Sequence, residues 1–554
     1  MKILLAFLAL LLPCSVNAQG IVTSADPRAT ATGQEILREG GSAADAAMAM
    51  MLALTVVEPQ SSGIGGGGFL VHHDGATGLI DTIDGRETAP AAANEARFLG
   101  PDGTPLPFAQ AFPGGSSIGV PGNVRLMAMT HDKWGRLPWK ALFAPAIRLA
   151  DQGYQVTAPM HNAIVAVADL WKDFPAARAL YLAPDGQPLA VGATVRNPGL
   201  AAFLTQLSEQ GPDAFYTGDN AARLLAAATA STVRPSDMTA SDLIGYQAKE
   251  RPAVCGRYRK YNICGMGPPS SGATTVLEIL RLLERFNLKK LGKDSPVAWH
   301  LIGEAMELAY ADRDAYLGDS DFVDVPVAGL LDGRYIRKRS RLISATRSLP
   351  RYEPGIPPGA PDRVPAPQAE VPSTTHFIAI DRGGDIVSMT STVEGPFGSQ
   401  LLANGYILNN QLTDFSFAPA KDGALVANRV EPGKRPLSSM APTIVYDAKG
   451  RPVFTVGAAG GKTIIMQVAK ALIAHLDWGM PAREAIGEGL IFFNRDGLVL
   501  EQGTSLEAMK PALEKLGHVV TIGKLGLKAN AAERTPDGWV GAADPRSVGN
   551  ALSE

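Results

Sequence analysis

Two adjacent threonines, Thr374 and Thr375, follow a proline-rich run in the stretch VPSTTHFI. A threonine hydroxyl is a weak nucleophile unless a base takes its proton, and an internal threonine has only an amide nitrogen beside it. If the bond between Ser373 and Thr374 were cut, the new α-amine would have a pKa of about 7.7, which suits a general base near neutral pH. Thr374 would then carry both nucleophile and base. The alternative is ordinary, because threonine often opens a β-strand.

The residues before this bond predict how it could be presented for cutting. Residues 348–373, SLPRYEPGIPPGAPDRVPAPQAEVPS, are rich in proline and have almost no apolar periodicity. This composition predicts an extended, exposed segment. The Thr374 hydroxyl could attack the preceding carbonyl there, with water resolving the resulting ester. A plain linker entering a domain would have the same composition.

Two glycine-rich stretches could hold an anion. GIGGGG, residues 63–68, follows a predicted helix and leads into a strand, which is the reverse of the order in a dinucleotide-binding loop. VGAAGGKT, residues 456–463, has Val where a phosphate loop needs its first Gly. We therefore expect neither to bind a nucleotide. Gly460 and Gly461, between a strand and a helix, could instead aim backbone N–H groups at developing negative charge, as in an oxyanion hole. A tight turn is the alternative.

Cys255 and Cys264 are the two cysteines beyond the N-terminal segment, in VCGRYRKYNICG. The residues between them alternate as in a strand or hairpin. In an oxidising compartment such a pair usually forms a disulfide, and two buried thiols are the second possibility. A metal site is disfavoured because no histidine lies nearby.

Composition narrows the class of protein. The 554 residues are 46% hydrophobic and 19% charged, which is typical of a folded globular protein with two or more core units. The net charge of −3 gives no electrostatic reason to expect nucleic acid or an anionic membrane as a partner.

The N-terminal stretch MKILLAFLALLLPCSVNAQG predicts a secretory signal peptide over residues 1–18, with cleavage after Ala18. Its apolar run, residues 3–12, is shorter than the roughly 20 residues needed to span a bilayer, so a membrane anchor is disfavoured. We expect an exported protein without a membrane anchor, periplasmic if the source is Gram-negative.

Elements of both types must position these residues. An apolar helix is predicted from Ser42, with Asp45 in a capping pattern, to Pro59. Strand pairs are predicted in GFLVHHDGATGLIDTIDG, in TTHFIAIDRGGDIVSMTSTV and in APTIVYDAKGRPVFTVGAA, and helices in TTVLEILRLLERF, AWHLIGEAMELAYADRDAY and TIIMQVAKALIAHLDW. Strand pairs covered by helices indicate a layered α+β sandwich.

Taken together, these segments resemble the γ-glutamyltranspeptidase (glutathione hydrolase) family of N-terminal-nucleophile hydrolases. The resemblance spans nearly the whole chain after the signal and rests on ordered motifs: GGSAADAAMAMMLALTVVEPQSSGIGGGGF, DGRETAP, GVPGNV, PPSSG, TTHF, LNNQLTDFS, KRPLSSMAPT and GAAGGKTII. It implies a four-layer αββα sandwich, made as one precursor that cuts itself between Ser373 and Thr374. A large subunit, residues 19–373, and a small catalytic subunit, residues 374–554, would then form a heterodimer.

The resemblance also implies a role for each site residue. Thr374 would be the nucleophile, with Thr392 hydrogen-bonded to it. Gly460 and Gly461 would form the oxyanion hole. Arg86 would hold the substrate α-carboxylate, which suits its planar, bidentate guanidinium. Ser438 and Ser439 would donate hydrogen bonds to the same carboxylate. Gln411 and Asp414 would bind the substrate α-ammonium group. No metal or organic cofactor is implied. Considered one at a time, these residues also have ordinary structural explanations. Arg86 could belong to a surface ion pair, Ser438 and Ser439 could form a turn, and Asp414 could cap a helix.

The implied reaction begins with attack of Thr374 on the γ-glutamyl amide of glutathione. Water or an acceptor amine then releases the acyl group. The segment between Asp414 and Ser438 is shorter than in members with a lid loop, which favours hydrolysis over transfer. Glu394 stands where well-known members have Asn, and its charge would lie beside that of Asp414. An acylase for glutaryl or cephalosporin-type amides and a non-catalytic binding protein remain as alternatives.

Overall fold

The computed structural model describes residues 19–366, 373–494 and 497–554. The predicted signal peptide, residues 1–18, lies outside the described residues, as does the part of the predicted proline-rich tail at residues 367–372. The described part of that tail, residues 348–366, contains neither helix nor strand. No helix in the described ranges has both the length and the apolar character needed to cross a membrane.

Twenty-two strands are present in the described residues. In chain order they are β1 (Ile21–Ser24), β2 (Gly67–His73), β3 (Ile80–Gly85), β4 (Tyr154–Gln155), β5 (Thr194–Val195), β6 (Lys249–Arg251), β7 (Val254–Tyr258), β8 (Tyr261–Gly265), β9 (Thr375–Ile380), β10 (Ile386–Thr392), β11 (Leu402–Ala403), β12 (Tyr406–Ile407), β13 (Ala420–Lys421), β14 (Ala424–Leu425), β15 (Thr443–Tyr446), β16 (Pro452–Ala459), β17 (Ile491–Asn494), β18 (Gly497–Glu501), β19 (Val520–Gly523), β20 (Lys528–Thr535), β21 (Gly538–Ala543) and β22 (Asn550–Ser553).

The α-helices of the described residues surround the sheets. They are α1 (Pro27–Arg38), α2 (Ala43–Val57), α3 (Phe108–Ala111), α4 (Asn123–Trp134), α5 (Ala144–Gln152), α6 (Ala158–Val167), α7 (Pro175–Tyr181), α8 (Pro198–Gln210), α9 (Asp213–Tyr216), α10 (Gly218–Thr229), α11 (Ala240–Gly245), α12 (Gly272–Leu283), α13 (Leu288–Leu291), α14 (Pro296–Tyr316), α15 (Val327–Leu330), α16 (Gly333–Ser340), α17 (Thr463–Leu476), α18 (Ala482–Gly487) and α19 (Lys510–Lys515).

Two antiparallel sheets form the centre of the molecule. One has seven strands in the order β22-β1-β9-β10-β2-β3-β6, and the other has six in the order β21-β20-β16-β15-β8-β7. Both sheets combine strands that precede Thr374 with strands that follow it. In the first sheet β1 pairs with both β9 and β22. A cut before Thr374 would therefore leave two polypeptides that share both sheets.

The two faces of β9 show how the layers stack. Ile378 and Ile380 belong to one apolar cluster with Phe454 and Val456 of β16, so this face packs against the second sheet. The alternate side chains of β9 (Phe377 among them) pack with α2 in a separate cluster, as the period of two along a strand requires. The predicted four-layer αββα sandwich is confirmed.

Helix α2 forms the outer layer on β9 and β10, and all fifteen of its residues are buried. Its start matches the predicted capping pattern, because Asp45 N donates to Ser42 Oγ at 3.1 Å and Ser42 N to Asp45 Oδ2 at 2.9 Å. On the other side of the molecule, α12 and α17 cover the second sheet and α14 packs on α12. The predicted strand pairs and long helices are all present.

Candidate active site

The Thr374 hydroxyl donates a hydrogen bond of 2.9 Å to Thr392 Oγ1, and both side chains are buried. The sheet register fixes this contact, because Thr375 at the start of β9 lies opposite Ser391 of β10. Thr374 immediately precedes this pair in the chain on one side, and Thr392 immediately follows it on the other. Thr392 Oγ1 also accepts from the backbone N–H of Glu394 at 2.8 Å, so its position is fixed from two sides.

The backbone at Thr374 adopts an unusual conformation. Its φ angle is +89°, a value that costs a β-branched residue steric strain and is typical of functional sites. The preceding Ser373 carbonyl accepts a 3.1 Å hydrogen bond from the backbone N–H of Gly460. The Ser373 hydroxyl donates to the Gln60 carbonyl at 2.8 Å. The residue before the Ser373–Thr374 peptide bond is thus fixed by two hydrogen bonds, one to Gly460 and one to Gln60.

The GIGGGG motif serves this region by close backbone packing. A Cβ atom on Gly66 would lie 1.9 Å from the Thr392 carbonyl oxygen, so only glycine fits. The second glycine stretch connects β16 to α17 and places Gly460 and Gly461 beside Thr374. The prediction that these two glycines lie at a strand-to-helix junction is confirmed.

A small cavity, here called the inner cavity, lies beside Thr374. Every predicted substrate-binding residue lines it. Its lining consists of Arg86, Thr374, Thr392, Glu394, Gln411, Asp414, Ser438, Ser439, Met440, Gly461 and Ile464. Two predicted site residues, Ser373 and Gly460, lie instead in the wall of a second, larger cavity that Thr374 also lines.

Arg86 and Asp414, predicted to bind opposite ends of an amino acid, form a buried ion pair in the inner cavity. Arg86 Nη2 lies 2.5 Å from Asp414 Oδ2 and 2.9 Å from the Leu437 carbonyl oxygen. Gln411 Nε2 donates to the same carboxylate oxygen of Asp414 at 2.6 Å. A cation and an anion side by side complement a ligand that carries one carboxylate and one ammonium group.

Glu394 is at a bend after β10 with a φ angle of +78°. Its carboxylate accepts a hydrogen bond from Asn410 Nδ2. Asn410 also donates from the same nitrogen to Thr413 Oγ1 at 3.2 Å. The Glu394 side chain is therefore oriented within the wall of the inner cavity, beside the Gln411–Asp414 turn.

Ser439 is oriented by a buried arginine that sequence reasoning missed. Arg313 of α14 donates through Nη2 to Ser439 Oγ and through Nε to Ser271 Oγ, each at 2.9 Å. Asp314 balances its charge at 2.8 Å. The signal available was the charged triplet Asp-Arg-Asp inside the otherwise apolar stretch AYADRDAY. Asn410 was also missed, although it lies inside the LNNQLTDFS motif.

Glu87, next to Arg86, is completely buried and was likewise missed. Within the described residues, neither of its carboxylate oxygens has a hydrogen-bond partner. Burial raises the pKa of this carboxyl to about 8, although the nearby Arg86 charge opposes the shift. Glu87 therefore remains largely protonated at neutral pH and adds little negative charge near Asp414.

The segment from Asp414 to Ser438, predicted to be a short lid, contains the two-stranded hairpin β13–β14. Asn428 fastens its base, because its Nδ2 donates to the Asp414 carbonyl at 2.7 Å and its Oδ1 accepts from Leu437 N at 2.9 Å.

The predicted disulfide between Cys255 and Cys264 is present, across the β7–β8 hairpin.

A four-layer αββα sandwich is the architecture of the N-terminal-nucleophile hydrolases, which include the solved structures that this fold resembles. Residues 29–553 match the family model described as "Gamma-glutamyltranspeptidase". The chain belongs to the γ-glutamyltranspeptidase family and is an enzyme of that family. Members of this family are processed into two subunits that form a heterodimer, and they act on small γ-glutamyl substrates.

Several relatives resemble the chain over most of its length. A glutathione hydrolase proenzyme of Bacillus subtilis (strain 168) is 39% identical over 86% of this chain and 81% of its own length. One of Escherichia coli (strain K12) is 36% identical over 96% and 91%. An acylase ACY 1 proenzyme of Pseudomonas sp. (strain SE83) is 34% identical over 97% and 94%.

The fold also resembles solved structures. A cephalosporin acylase from Bacillus halodurans superposes with a TM-score of 0.84 at 26% identity, covering 97% of this chain and 96% of its own. The γ-glutamyltranspeptidase of Helicobacter pylori gives a TM-score of 0.57 at 34% identity, covering 59% and 93%.

Proposed function

We propose that this enzyme cuts itself between Ser373 and Thr374 and then hydrolyses the γ-glutamyl amide bond of glutathione or related compounds. The observation that carries the proposal is the position of Thr374, at the meeting point of Thr392, the Gly460 N–H and the inner cavity. The relatives that are glutathione hydrolase proenzymes support the choice of glutathione.

Self-cutting starts with attack of Thr374 Oγ1 on the Ser373 carbonyl carbon. The Gly460 N–H, already 3.1 Å from that carbonyl oxygen, stabilises the negative charge that develops there. The C–N bond breaks, the nitrogen takes the hydroxyl proton, and an ester joins Ser373 to Thr374 Oγ1. Water then hydrolyses the ester, which releases the Ser373 carboxylate and leaves Thr374 with an α-amine.

In the substrate reaction the α-amine of Thr374 accepts the hydroxyl proton as Oγ1 attacks the γ-carbonyl carbon. The oxyanion that forms is stabilised by N–H groups of Gly460 and Gly461. The α-amine then passes its proton to the leaving nitrogen. Water adds to the γ-glutamyl ester in the same way and releases glutamate.

The inner cavity would bind the glutamyl end of the substrate. The α-carboxylate would contact Arg86, Ser438 and Ser439, and the α-ammonium would contact Asp414 and Gln411. Glu394 adds a further acceptor for the ammonium group. The Arg86–Asp414 pair supports a zwitterionic ligand, because each charge of the pair has a counterpart on an amino acid.

An acylase for glutaryl-type amides is the second candidate, favoured by the Pseudomonas acylase relative. A glutaryl group has no ammonium group, so Asp414 and Glu394 would face it without a cation to bind. We therefore place this activity second.

The two subunits, residues 19–373 and 374–554, would remain joined as a heterodimer through the shared sheets. The disulfide supports export to an oxidising compartment such as the periplasm.

Paired assays test this function. Purified protein is incubated with glutathione and, separately, with a glutaryl amide that lacks the α-amino group, and the released amines are quantified. We expect cysteinylglycine and glutamate from glutathione and at least about 100-fold lower kcat/KM for the glutaryl amide, as a buried ionic contact is lost. A preference for the glutaryl amide would establish the acylase alternative. Binding of glutathione without turnover would leave a binding protein.

A further inference from the structure

A second cavity of about 410 Å³, here called the outer cleft, also borders Thr374. Its wall includes Ser373, Thr374 and Gly460, and Thr374 lines both cavities. If the γ-glutamyl group occupies the inner cavity, the outer cleft is the second cavity at Thr374 that can take the group on the other side of the reacting carbonyl. This assignment rests on the proposed function.

One lysine lies in the wall of the outer cleft close to the reaction centre. Lys528 begins β20 and lies directly opposite Ala459, the residue before Gly460, in the pairing with β16. Its backbone N–H donates to Gln467 Oε1 at 3.1 Å, and Gln467 Nε2 in turn donates to the Ala459 carbonyl at 2.7 Å. The strand that carries Lys528 is therefore fixed to the loop that carries the proposed oxyanion hole.

The Lys528 ammonium group retains capacity for a ligand. Its Nζ donates to Glu58 Oε1 and lies 3.4 Å from Ser61 Oγ, which accounts for two of its three N–H donors. The side chain is 20% exposed, so it reaches the cleft. The pair with Glu58 keeps this part of the cleft electrically neutral, as suits a zwitterionic ligand.

The other charged side chains of the cleft are more fully committed. Arg546 contacts Glu501 at 2.6 Å and Asp544 at 3.1 Å, and Asp26 contacts Arg28 at 2.5 Å. Among the charged residues of the described cleft wall, Lys528 is thus the best placed to bind an added carboxylate.

From these contacts we infer that Lys528 binds the terminal carboxylate of the leaving group, and that the outer cleft selects amino acid or short-peptide amides over amides without a carboxylate. Cysteinylglycine, the leaving group of glutathione, ends in such a carboxylate. Acceptor amino acids and peptides, which would enter by the same cleft, carry it too. Lys528 is therefore a specificity residue for the side of the substrate that the inner cavity does not contact.

The test compares glutathione with the analogue whose glycine carboxylate is replaced by a neutral carboxamide. We measure kcat/KM for both compounds with the wild-type enzyme, Lys528→Gln, Lys528→Arg and, as a matched control, Lys524→Gln. Lys524 is an exposed lysine four residues earlier and does not line the cleft.

We expect the wild-type enzyme to prefer glutathione about tenfold, the effect of one hydrogen bond to a charged group. That preference should fall to about one in Lys528→Gln and persist in Lys528→Arg and Lys524→Gln. Equal kcat/KM for both compounds with the wild-type enzyme would overturn the inference about Lys528 but not the proposed function. An equal fall in kcat/KM for both compounds in Lys528→Gln would do the same. Failure of the wild-type enzyme to cut either compound would overturn the proposed function with it.

Discussion

The Gly460 amide donates a 3.1 Å hydrogen bond to the Ser373 carbonyl, which belongs to the peptide bond that we propose is cut. Thr374, on the other side of this bond, has a strained φ angle of +89° and a hydroxyl held by Thr392. The Ser373–Thr374 peptide bond thus has a hydrogen-bonded carbonyl on one side and, on the other, a strained residue whose hydroxyl is held in place. The groups that would cut the chain are those that would later cut the substrate.

Replacing Thr392 with alanine should slow catalysis without weakening substrate binding. The substitution removes the hydroxyl that fixes Thr374 Oγ1 and accepts from Glu394 N. We expect kcat for glutathione to fall by about 10- to 100-fold, as a misplaced reacting group does, with KM little changed. Thr392→Ser keeps the hydroxyl and should retain most of the activity. A raised KM with unchanged kcat would contradict the positioning role.

Replacing Asp414 with asparagine should impair recognition of the glutamyl group. Arg86 would lose its buried partner and the substrate ammonium its countercharge. We expect kcat/KM for glutathione to fall by about 100-fold or more, since loss of one buried charge costs about 2–5 kcal/mol. Asp537→Asn, at an exposed turn, is the control and should leave kcat/KM unchanged. An active Asp414→Asn enzyme would show that the ammonium group binds elsewhere.

Gly457 should not tolerate a side chain. A Cβ atom there would lie 2.2 Å from the ring of His376, which is itself fully buried between the sheets. We expect Gly457→Ala to lower the free energy of unfolding by about 1–3 kcal/mol, measured by chemical denaturation. Gly245→Ala, in α11 with no atom near the added methyl group, should instead be neutral or stabilising by up to about 1 kcal/mol. Equal stability of the two variants would refute the predicted clash.

Glu87 should make stability depend on pH. Its pKa is raised by burial from 4.5 to about 8, so the folded protein holds a proton that the unfolded chain releases. Its contribution is therefore complete below about pH 4.5 and is lost as pH rises through about 8. We expect Glu87→Gln to lose less thermal stability than the parent between pH 5 and pH 8. The exposed Glu95→Gln should follow the parent, and parallel curves for Glu87→Gln and the parent would exclude the effect.

The sequence predicts much of this molecule because several features are local. The Ser42–Asp45 capping box, the buried α2 and the strand pairs each follow from a short stretch of residues. The motifs around Thr374, Arg86 and Asp414 also lie within single segments, which is why their residues could be named before the fold was known.

The remaining contacts are long-range, and no periodicity encodes them. Arg313 reaches Ser439 across 126 residues of chain, and the His376 ring packs against Gly457 of a different sheet. The lack of a hydrogen-bond partner for the Glu87 carboxyl among the described residues is likewise a property of the packed core. These contacts depend on which helices and strands pack against one another, which the local sequence does not specify.

The intact mass of the purified protein, measured under denaturing conditions beside that of Thr374→Ala, tests the central claim most directly. We predict two polypeptides for the parent, the smaller beginning at Thr374, and one uncut chain for the variant, which lacks the attacking hydroxyl. An uncut parent chain, or a variant cut at the same bond, would contradict the account, because Thr374 would not then generate its own α-amine.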